Sequence, residues 1–156
     1  MKKFIFQTIL TVLIILSSYS ILYAEEKNYK IIKLVNDQII TNYDLEQRLK
    51  LYATLNNVNI NKENIDKLAA EMLVLMVDEK LQLEQIKSYK IFINKSEVDN
   101  YIKRAYLSED KTLNDLIFVL NENNLDIAIL KEAIEIMLGW NELAGKLFYR
   151  TSEISN

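Results

Sequence analysis

The segment 31–49 constrains the fold more than any other part of the sequence, because it joins a hairpin signal to a helix start. Two runs rich in β-branched residues, Ile31–Val35 and Gln38–Thr41, flank the dipeptide Asn36-Asp37. Asparagine and aspartate tolerate the positive φ angles that a two-residue hairpin turn requires. The pattern therefore predicts a short antiparallel β-hairpin at Lys30–Thr41.

A helix start follows the hairpin directly. Thr41 stands three residues before Asp44, which is the spacing of a capping threonine and its acidic partner. Apolar residues then recur at the period of an amphipathic helix, at Leu45, Leu49 and Tyr52. The first helix is therefore expected from about Asn42 to Leu55.

The remaining chain is also predicted to be helical. It contains no proline and two glycines, which disfavours a loop-rich β-sandwich. Four further helices are expected at residues 62–88, 94–107, 112–120 and 127–148, capped by Asn61, Asn94 with Glu97, Thr112 and Asp126. Asn124 is expected to adopt the left-handed conformation that ends a helix. The predicted fold class is mainly α, with a short N-terminal β-hairpin followed by about five helices.

The helix at residues 62–88 is expected to be the central and most buried one. Its apolar residues cover more than one face around Met72–Val77. Truncation of Leu75 or Leu83 to alanine is therefore expected to lower the free energy of unfolding by about 2–5 kcal/mol.

The missing residue types exclude several kinds of chemistry. The chain of 156 residues has no histidine and no cysteine, which excludes a Ser-His-Asp triad, a cysteine nucleophile and an ordinary zinc site. It has no Gly-rich phosphate loop, because Gly139 and Gly145 both fall late in a helical stretch. The net charge of −3 disfavours nucleic acid as a partner, since contacts to phosphates need a basic surface. No cofactor is expected.

The N-terminus predicts export. Two lysines precede the apolar run Phe4–Leu16, and Ala24 is followed by two glutamates. These features are typical of a secretory signal peptide, which is predicted at residues 1–24. A competing cleavage site follows Ser20. The alternative to cleavage is a retained anchor, because Phe4–Tyr23 is long enough to span a bilayer.

Four short motifs follow one another along the chain. The first consists of Leu34, Val35, Asn36, Asp37, Ile39, Ile40, Thr41, Asp44 and Leu45. The second and third are Met76–Leu83 and Ile93–Asp99, and a fainter fourth lies at Leu113–Leu143. Their order and spacing resemble those of the N-terminal domain of SurA-type periplasmic chaperones. The resemblance covers roughly Ile31 to Leu147.

The resemblance implies a chaperone domain at residues 25–149. The polar composition of residues 150–156 predicts a frayed tail after it. The resemblance also implies ATP-independent binding of unfolded envelope proteins, in particular outer-membrane proteins, through an apolar groove. The implied location is the periplasm, and the alternative is an inner-membrane anchor with the domain facing the periplasm. The alternative function is a structural or adaptor subunit that uses the same groove for one dedicated envelope partner or for homodimerisation.

No enzymatic activity is expected. Members of the resembled family often carry parvulin-type prolyl isomerase domains after this domain, but the present sequence shows no parvulin segment and no histidine. Carboxylates at Asp78, Glu79, Glu132 and Glu135 would be an acid–base couple in an enzyme. The favoured interpretation is that they lie on solvated helix faces, because Lys80 and Lys131 are nearby and no second motif accompanies them.

Large apolar and aromatic side chains are the candidate peptide-binding residues. The six candidates are Tyr52, Met72, Met76, Tyr101, Met137 and Trp140. Methionine adapts to varied partners, although ordinary core packing is the favoured alternative for each single methionine. The one tryptophan is a core anchor or an interface anchor. Some of the nine tyrosines are expected at the surface, because a small core cannot satisfy all their hydroxyls.

Overall fold

The computed structural model describes the backbone of residues 29–154 and the side chains of residues 29–148. Within that part of the chain a two-stranded hairpin precedes five helices, which confirms the predicted fold class. The predicted signal peptide and the last two residues of the predicted tail lie outside the described residues. In chain order the elements are β1 Ile31–Val35, β2 Gln38–Thr41, α1 Asn42–Asn56, α2 Ile65–Ser88, α3 Lys95–Tyr106, α4 Leu113–Glu122 and α5 Ile127–Ile154.

The hairpin forms with the predicted two-residue turn. Val35 pairs with Gln38 across the turn, and Asn36 has a φ angle of 50°, as this turn requires. At the open end, the backbone N–H of Lys30 donates to Oδ1 of Asn42 at 2.6 Å. The N–H of Asn42 donates back to the carbonyl of Lys30 at 2.9 Å, which fixes the hairpin to the start of α1.

A β-bulge divides the apolar residues of β1 between the two faces of the hairpin. The strand has one extra residue between Ile31 and Lys33, so that Ile31 pairs with Thr41. Leu34 pairs with Ile39 farther along the hairpin. Since residues paired across an antiparallel ladder point to the same face, the shifted register brings Ile31 to the face of Leu34 and Ile39.

Two helices begin at a threonine with an acidic partner. Thr41 accepts a hydrogen bond from the backbone N–H of Asp44, and the Asp44 carboxylate accepts one from the N–H of Thr41 at 2.8 Å. This is the capping arrangement that the sequence predicts. Thr112 and Asp115 form the same arrangement at the start of α4. Both pairs satisfy backbone N–H groups that the first helical turn leaves without partners.

Single side chains cap α3 and α5. Oδ1 of Asn94 accepts from the backbone N–H of Ser96 at 3.2 Å. The expected cap by Asn94 is therefore confirmed. The predicted capping box with Glu97 is wrong, because the Asn94 side chain bonds to the N–H of Ser96 and not to that of Glu97. Oδ1 of Asp126 accepts from the N–H of Ala128 at 2.8 Å, which confirms the predicted cap of α5.

Helix α2 begins three residues later than predicted. Oδ1 of Asn61, the expected cap, accepts from the backbone N–H groups of Glu63 and Asn64. This local turn competes with helix formation, as short polar side chains do. The helix then starts at Ile65, with Asn64 before it and no side-chain capping hydrogen bond.

Three of the turns that follow helices contain residues with left-handed backbone angles. Asn57 follows α1 with φ 52°, and Asn124 follows α4 with φ 55° as predicted. Lys90 follows α2 with φ 53°. Asparagine tolerates this conformation because its short polar side chain can hydrogen-bond locally, whereas for lysine the close approach of Cβ to the following carbonyl oxygen is costly.

The core consists of three apolar clusters, of which the largest joins α1, α3, α4 and α5. This main cluster contains Leu51, Val98, Ile102, Leu116, Leu120, Leu125, Leu130 and Ile134. The α2–α5 cluster contains Ile86, Ile91, Ile136 and Leu143. The hairpin cluster contains Val35, Ile40 and Met76. Because α5 supplies residues to the first two clusters, it is the central helix of the described fold.

The expectation that α2 is the most buried helix is wrong. Leu75 is 44% exposed and Val74 is 63% exposed, while Leu83 is half-buried against the α2–α5 cluster. Helix α2 is apolar on more than one face around these residues, but its neighbours α1, α5 and β1 cover only part of its surface. An apolar sequence pattern shows which residues prefer burial, and only the neighbouring elements decide which of them are covered.

Helix α5 is longer than predicted. It was expected to end near Phe148, with a frayed tail from Arg150, but its backbone is helical to Ile154. No glycine or proline follows Gly145, so no strong stop signal interrupts the helix. Within residues 29–154, no helix is both long enough and apolar enough to cross a membrane.

Candidate functional site

The outer face of the hairpin is apolar and exposed. It contains Ile31 and Leu34, each 65% exposed, and Ile39, which is 48% exposed. Leu34 and Ile39 form a cross-strand pair, and the bulge places Ile31 on the same face. Contiguous exposed apolar side chains are typical of surfaces that bind other proteins. This set of three residues is called the hairpin face below.

Contacts with α2 hold the opposite face of the hairpin. Val35 and Ile40 pack against Met76 in the hairpin cluster. Nε2 of Gln38 donates to the carbonyl of Lys80 at 3.0 Å, which adds a polar link to the same helix. With one face fixed in this way, the hairpin face is presented to solvent on a two-stranded sheet.

A polar cavity of about 140 Å³ lies between α1, α2 and α5. Its lining is provided by Tyr43, Asp44, Gln47, Arg48, Met76, Glu79, Lys80, Ile129, Glu132 and Ile136. Arg48 of α1 forms an ion pair with Glu79 of α2, and both side chains are largely buried. The cavity adjoins the hairpin, because Met76 belongs both to its lining and to the hairpin cluster.

Burial raises the pKa of the Glu79 carboxyl above its ordinary value, because the charged form loses hydration. The neighbouring Arg48 guanidinium acts in the opposite direction and lowers this pKa, while the Glu132 carboxylate raises it further. Lys80 has a smaller lowering effect. The net direction is upward, so desolvation outweighs the ion pair at this site. Among the described residues, no group of three or more acidic side chains is placed to hold a metal ion.

The structure distributes the six predicted peptide-binding residues over separate regions. Met72 and Met76 are buried on α2, and Met76 lies in the hairpin cluster. Tyr101 and Met137 are half-buried against the main cluster. The two others are more peripheral: Tyr52 is half-buried on α1, and Trp140 is 37% exposed on α5. Their role in peptide binding stays a prediction.

The surface tyrosines agree with the sequence prediction, and so do three of the four carboxylates. Tyr89 and Tyr106 are exposed, as expected for some tyrosines. Asp78, Glu132 and Glu135 are exposed, in agreement with solvated helix faces. Glu79 is the exception, because its side chain is buried against Arg48 rather than solvated beside Lys80.

The comparison with known proteins identifies a relative for most of the chain. Over 118 residues, or 74% of this chain, the sequence is 32% identical to the protein named Chaperone SurA from Buchnera aphidicola subsp. Schizaphis graminum (strain Sg). The chain resembles a SurA-type chaperone. The matched segment spans 26% of the length of that SurA. No family model matches the sequence, and no solved structure matches it.

The match to SurA confirms the resemblance that the four motifs indicated, but the motifs do not locate the polar cavity. Gln47 and Arg48 stand beside the first motif, and Glu79 lies within the second. Nothing in the local sequence shows that Arg48 and Glu79 meet, because they are 31 residues apart. The sequence does contain a signal for the hairpin face. Strand β1 has apolar residues at consecutive positions, and because side chains alternate along a strand, apolar side chains must lie on both of its faces.

Proposed function

We propose that this chain is an exported, ATP-independent chaperone module that binds extended segments of unfolded envelope proteins. The observation that carries the proposal is the 32% identity to the chaperone SurA over 118 residues. The predicted signal peptide supports export to the periplasm. The absence of a phosphate-binding loop from the sequence supports passive binding, in which a client leaves as it folds or inserts into the membrane.

The hairpin face is the surface that suits this function best. Apolar burial is non-directional, so three exposed aliphatic side chains can bind many different apolar segments. An extended segment can also add to a sheet edge through backbone hydrogen bonds, which do not depend on the client's sequence. Both properties fit a protein that must recognise unfolded chains in general.

Strands of outer-membrane proteins match this surface in their side-chain pattern. Transmembrane β-strands alternate apolar and polar residues, because one face meets lipid and the other meets the barrel interior. A strand of this kind can place its apolar side chains beside Leu34 and Ile39 while its polar side chains stay hydrated. Unfolded outer-membrane proteins are therefore the client class that we propose.

The six predicted peptide-binding residues enter the proposal with two different roles. Tyr52, Tyr101, Met137 and Trp140 retain accessible surface and would contact a client at the edges of its path. The buried Met72 and Met76 would act indirectly, since Met76 supports the hairpin from below. The proposed module is not an enzyme, and we expect no prolyl isomerase turnover from it.

The test removes apolar surface from the hairpin without weakening its preference for β structure. The double variant Leu34→Thr, Ile39→Thr keeps residues that favour strands and removes aliphatic side chains from the exposed face. A urea-unfolded outer-membrane β-barrel protein is diluted into buffer with each chaperone variant, and aggregation is followed by light scattering. We expect the double variant to need about tenfold more protein for equal protection, which corresponds to about 1.4 kcal/mol of lost binding.

Val74→Thr provides the matched control, because Val74 is exposed to a similar extent on α2 and does not belong to the hairpin cluster. This variant is expected to protect the client as well as the wild type does. Equal protection by all variants would place client binding elsewhere. Protection of only one envelope protein, or sedimentation as a dimer that protects none, would instead favour the adaptor function.

A further inference from the structure

Gln47 is the one buried polar or charged residue among those that the structure describes, and it lies in the wall of the polar cavity. Its side chain is 6% exposed. Within residues 29–154, no hydrogen bond joins its carboxamide to another residue. The protein does not fully enclose the carboxamide atoms of Gln47, so they face the open space of the cavity, where a donor group can hydrogen-bond to the amide oxygen.

The charges around Gln47 favour a cationic group. Asp44, Glu79 and Glu132 supply three carboxylates to the lining, against the two cations of Arg48 and Lys80. Glu79 is already paired with Arg48, and Asp44 accepts hydrogen bonds from the capping residue of α1. Among the described residues, Glu132 forms no ion pair. One carboxylate and one carboxamide oxygen therefore remain available to a donor.

The apolar part of the lining suits the stem of a long basic side chain. Met76, Ile129 and Ile136 provide this part of the wall. Lysine and arginine cover apolar surface with their methylene groups while the charged end bonds to polar groups. The cavity volume of about 140 Å³ gives room for one such side chain, and an apolar cavity of about 150 Å³ is known to hold a benzene ring.

We propose that this cavity binds one lysine or arginine side chain of an extended client segment, which donates hydrogen bonds to Oε1 of Gln47 and to the Glu132 carboxylate. This inference rests on the proposed function, because the basic side chain belongs to the client. The cavity adjoins the hairpin through Met76, on the side that α2 covers, so a client on the hairpin face would have to extend past the edge of the hairpin to reach it. The cavity would thus add a preference for basic residues to an otherwise apolar binding surface.

The first experiment tests the cavity without a client. Argininamide is titrated into the full chain labelled with ¹⁵N, and the side-chain amide resonances of Gln47 are followed by NMR. We expect these resonances to shift on addition of argininamide. In Glu132→Gln the shift should need about tenfold more argininamide, as expected for the loss of one charge-assisted hydrogen bond. Glu135→Gln is the control, because Glu135 is exposed on the same helix outside the cavity lining.

The second experiment uses peptides of alternating valine and threonine that differ at one central position, which is lysine, norleucine or tyrosine. The lysine peptide is expected to bind at least about tenfold more tightly than the norleucine peptide. Gln47→Leu should abolish this difference, and circular dichroism confirms that the variant is folded. Equal affinity of the lysine and norleucine peptides, or the tightest binding by the tyrosine peptide, would overturn the inference.

The two proposals fail in distinguishable ways. If unfolded clients are protected from aggregation but neither argininamide nor the lysine peptide shows a preference for the cavity, the cavity inference is wrong and the chaperone function stands. If argininamide binds in a Glu132-dependent manner but no peptide binds and no client is protected, the chaperone function is wrong. In that case the cavity recognises basic groups, and the claim that they come from a client is overturned.

Discussion

Gly139 of α5 lies directly against Ile86 of α2. A Cβ atom added to Gly139 would be 3.1 Å from Cδ1 and 3.2 Å from Cγ2 of Ile86. Ordinary contacts between carbon atoms are about 3.5–4.0 Å, so the two helices approach each other here as closely as a glycine allows. At Gly145, six residues later in the same helix, an added Cβ atom would have no neighbouring atom within 4 Å.

The two glycines should respond in opposite ways to alanine. Alanine is favoured over glycine in a helix by about 1 kcal/mol, and Gly145→Ala should raise the free energy of unfolding by about 0.5–1 kcal/mol. Gly139→Ala has the same helical gain but must displace the stiff, buried side chain of Ile86, and overpacking costs about 1–3 kcal/mol. A net loss of about 1 kcal/mol is expected in urea unfolding. Equal stabilisation by both variants would show that the two helices separate easily.

Two adjacent residues of α2 test which face of that helix is covered. Met76 is 6% exposed and lies in the hairpin cluster, so Met76→Ala should cost about 2–5 kcal/mol. Leu75 is 44% exposed, and Leu75→Ala should cost less than about 1 kcal/mol. Thermal and urea unfolding of the two variants measure the difference. A larger loss for Leu75→Ala would mean that another element covers this side of α2.

The turn after α2 offers a stabilising substitution. Lys90 is exposed and has a φ angle of 53°, a conformation that costs about 1–2 kcal/mol for a residue with a Cβ atom. Lys90→Gly removes this cost, and the greater freedom of glycine in the unfolded chain offsets part of the gain. We expect an increase of about 0.5–1 kcal/mol in the free energy of unfolding. Lys90→Ala keeps the Cβ atom and should change little. A loss of stability in Lys90→Gly alone would contradict the left-handed geometry.

The raised pKa of Glu79 predicts a pH dependence of defined sign. The folded protein holds the Glu79 proton more tightly than the unfolded chain, whose value is near 4.5. The stabilisation that results is fully present below that value and is lost as the pH rises through the folded pKa. In this window the unfolding free energy of the wild type should therefore fall with rising pH, relative to that of Glu79→Gln, which cannot titrate.

Urea unfolding of wild type and Glu79→Gln at a series of pH values measures this difference. The comparison isolates Glu79, because the other carboxylates titrate in both proteins. If the wild type instead gains stability relative to the variant as the pH rises, then the ion pair with Arg48 outweighs desolvation.

The hairpin and the helix starts could be predicted because their signals are local. The Asn36-Asp37 turn, the Thr41–Asp44 cap and the left-handed Asn124 each depend on residues within a few positions of one another. The failures at Asn61 and Glu97 are also local: a short polar side chain can bond to any of several nearby N–H groups, and the spacing alone does not select one.

The candidate site was less predictable because its contacts are distant in sequence. The burial of Glu79 depends on Arg48 from another helix, and the polar cavity also needs Glu132 from a third. The exposure of Leu34 depends on which hairpin face α2 covers. Periodicity identifies the apolar and charged positions, but the packing of whole elements decides which of them become accessible.

The division of the core into three clusters has a consequence for local unfolding. The hairpin cluster contains only three buried residues, whereas the main cluster contains eight. Amide protons of the hairpin should therefore exchange with solvent through openings that leave α5 intact, and faster than those of α5. The element that carries the exposed aliphatic side chains is then held to the helices by a small apolar cluster. In the proposed chaperone function, local opening of this kind would let the hairpin adapt to different clients while the helical body stays folded.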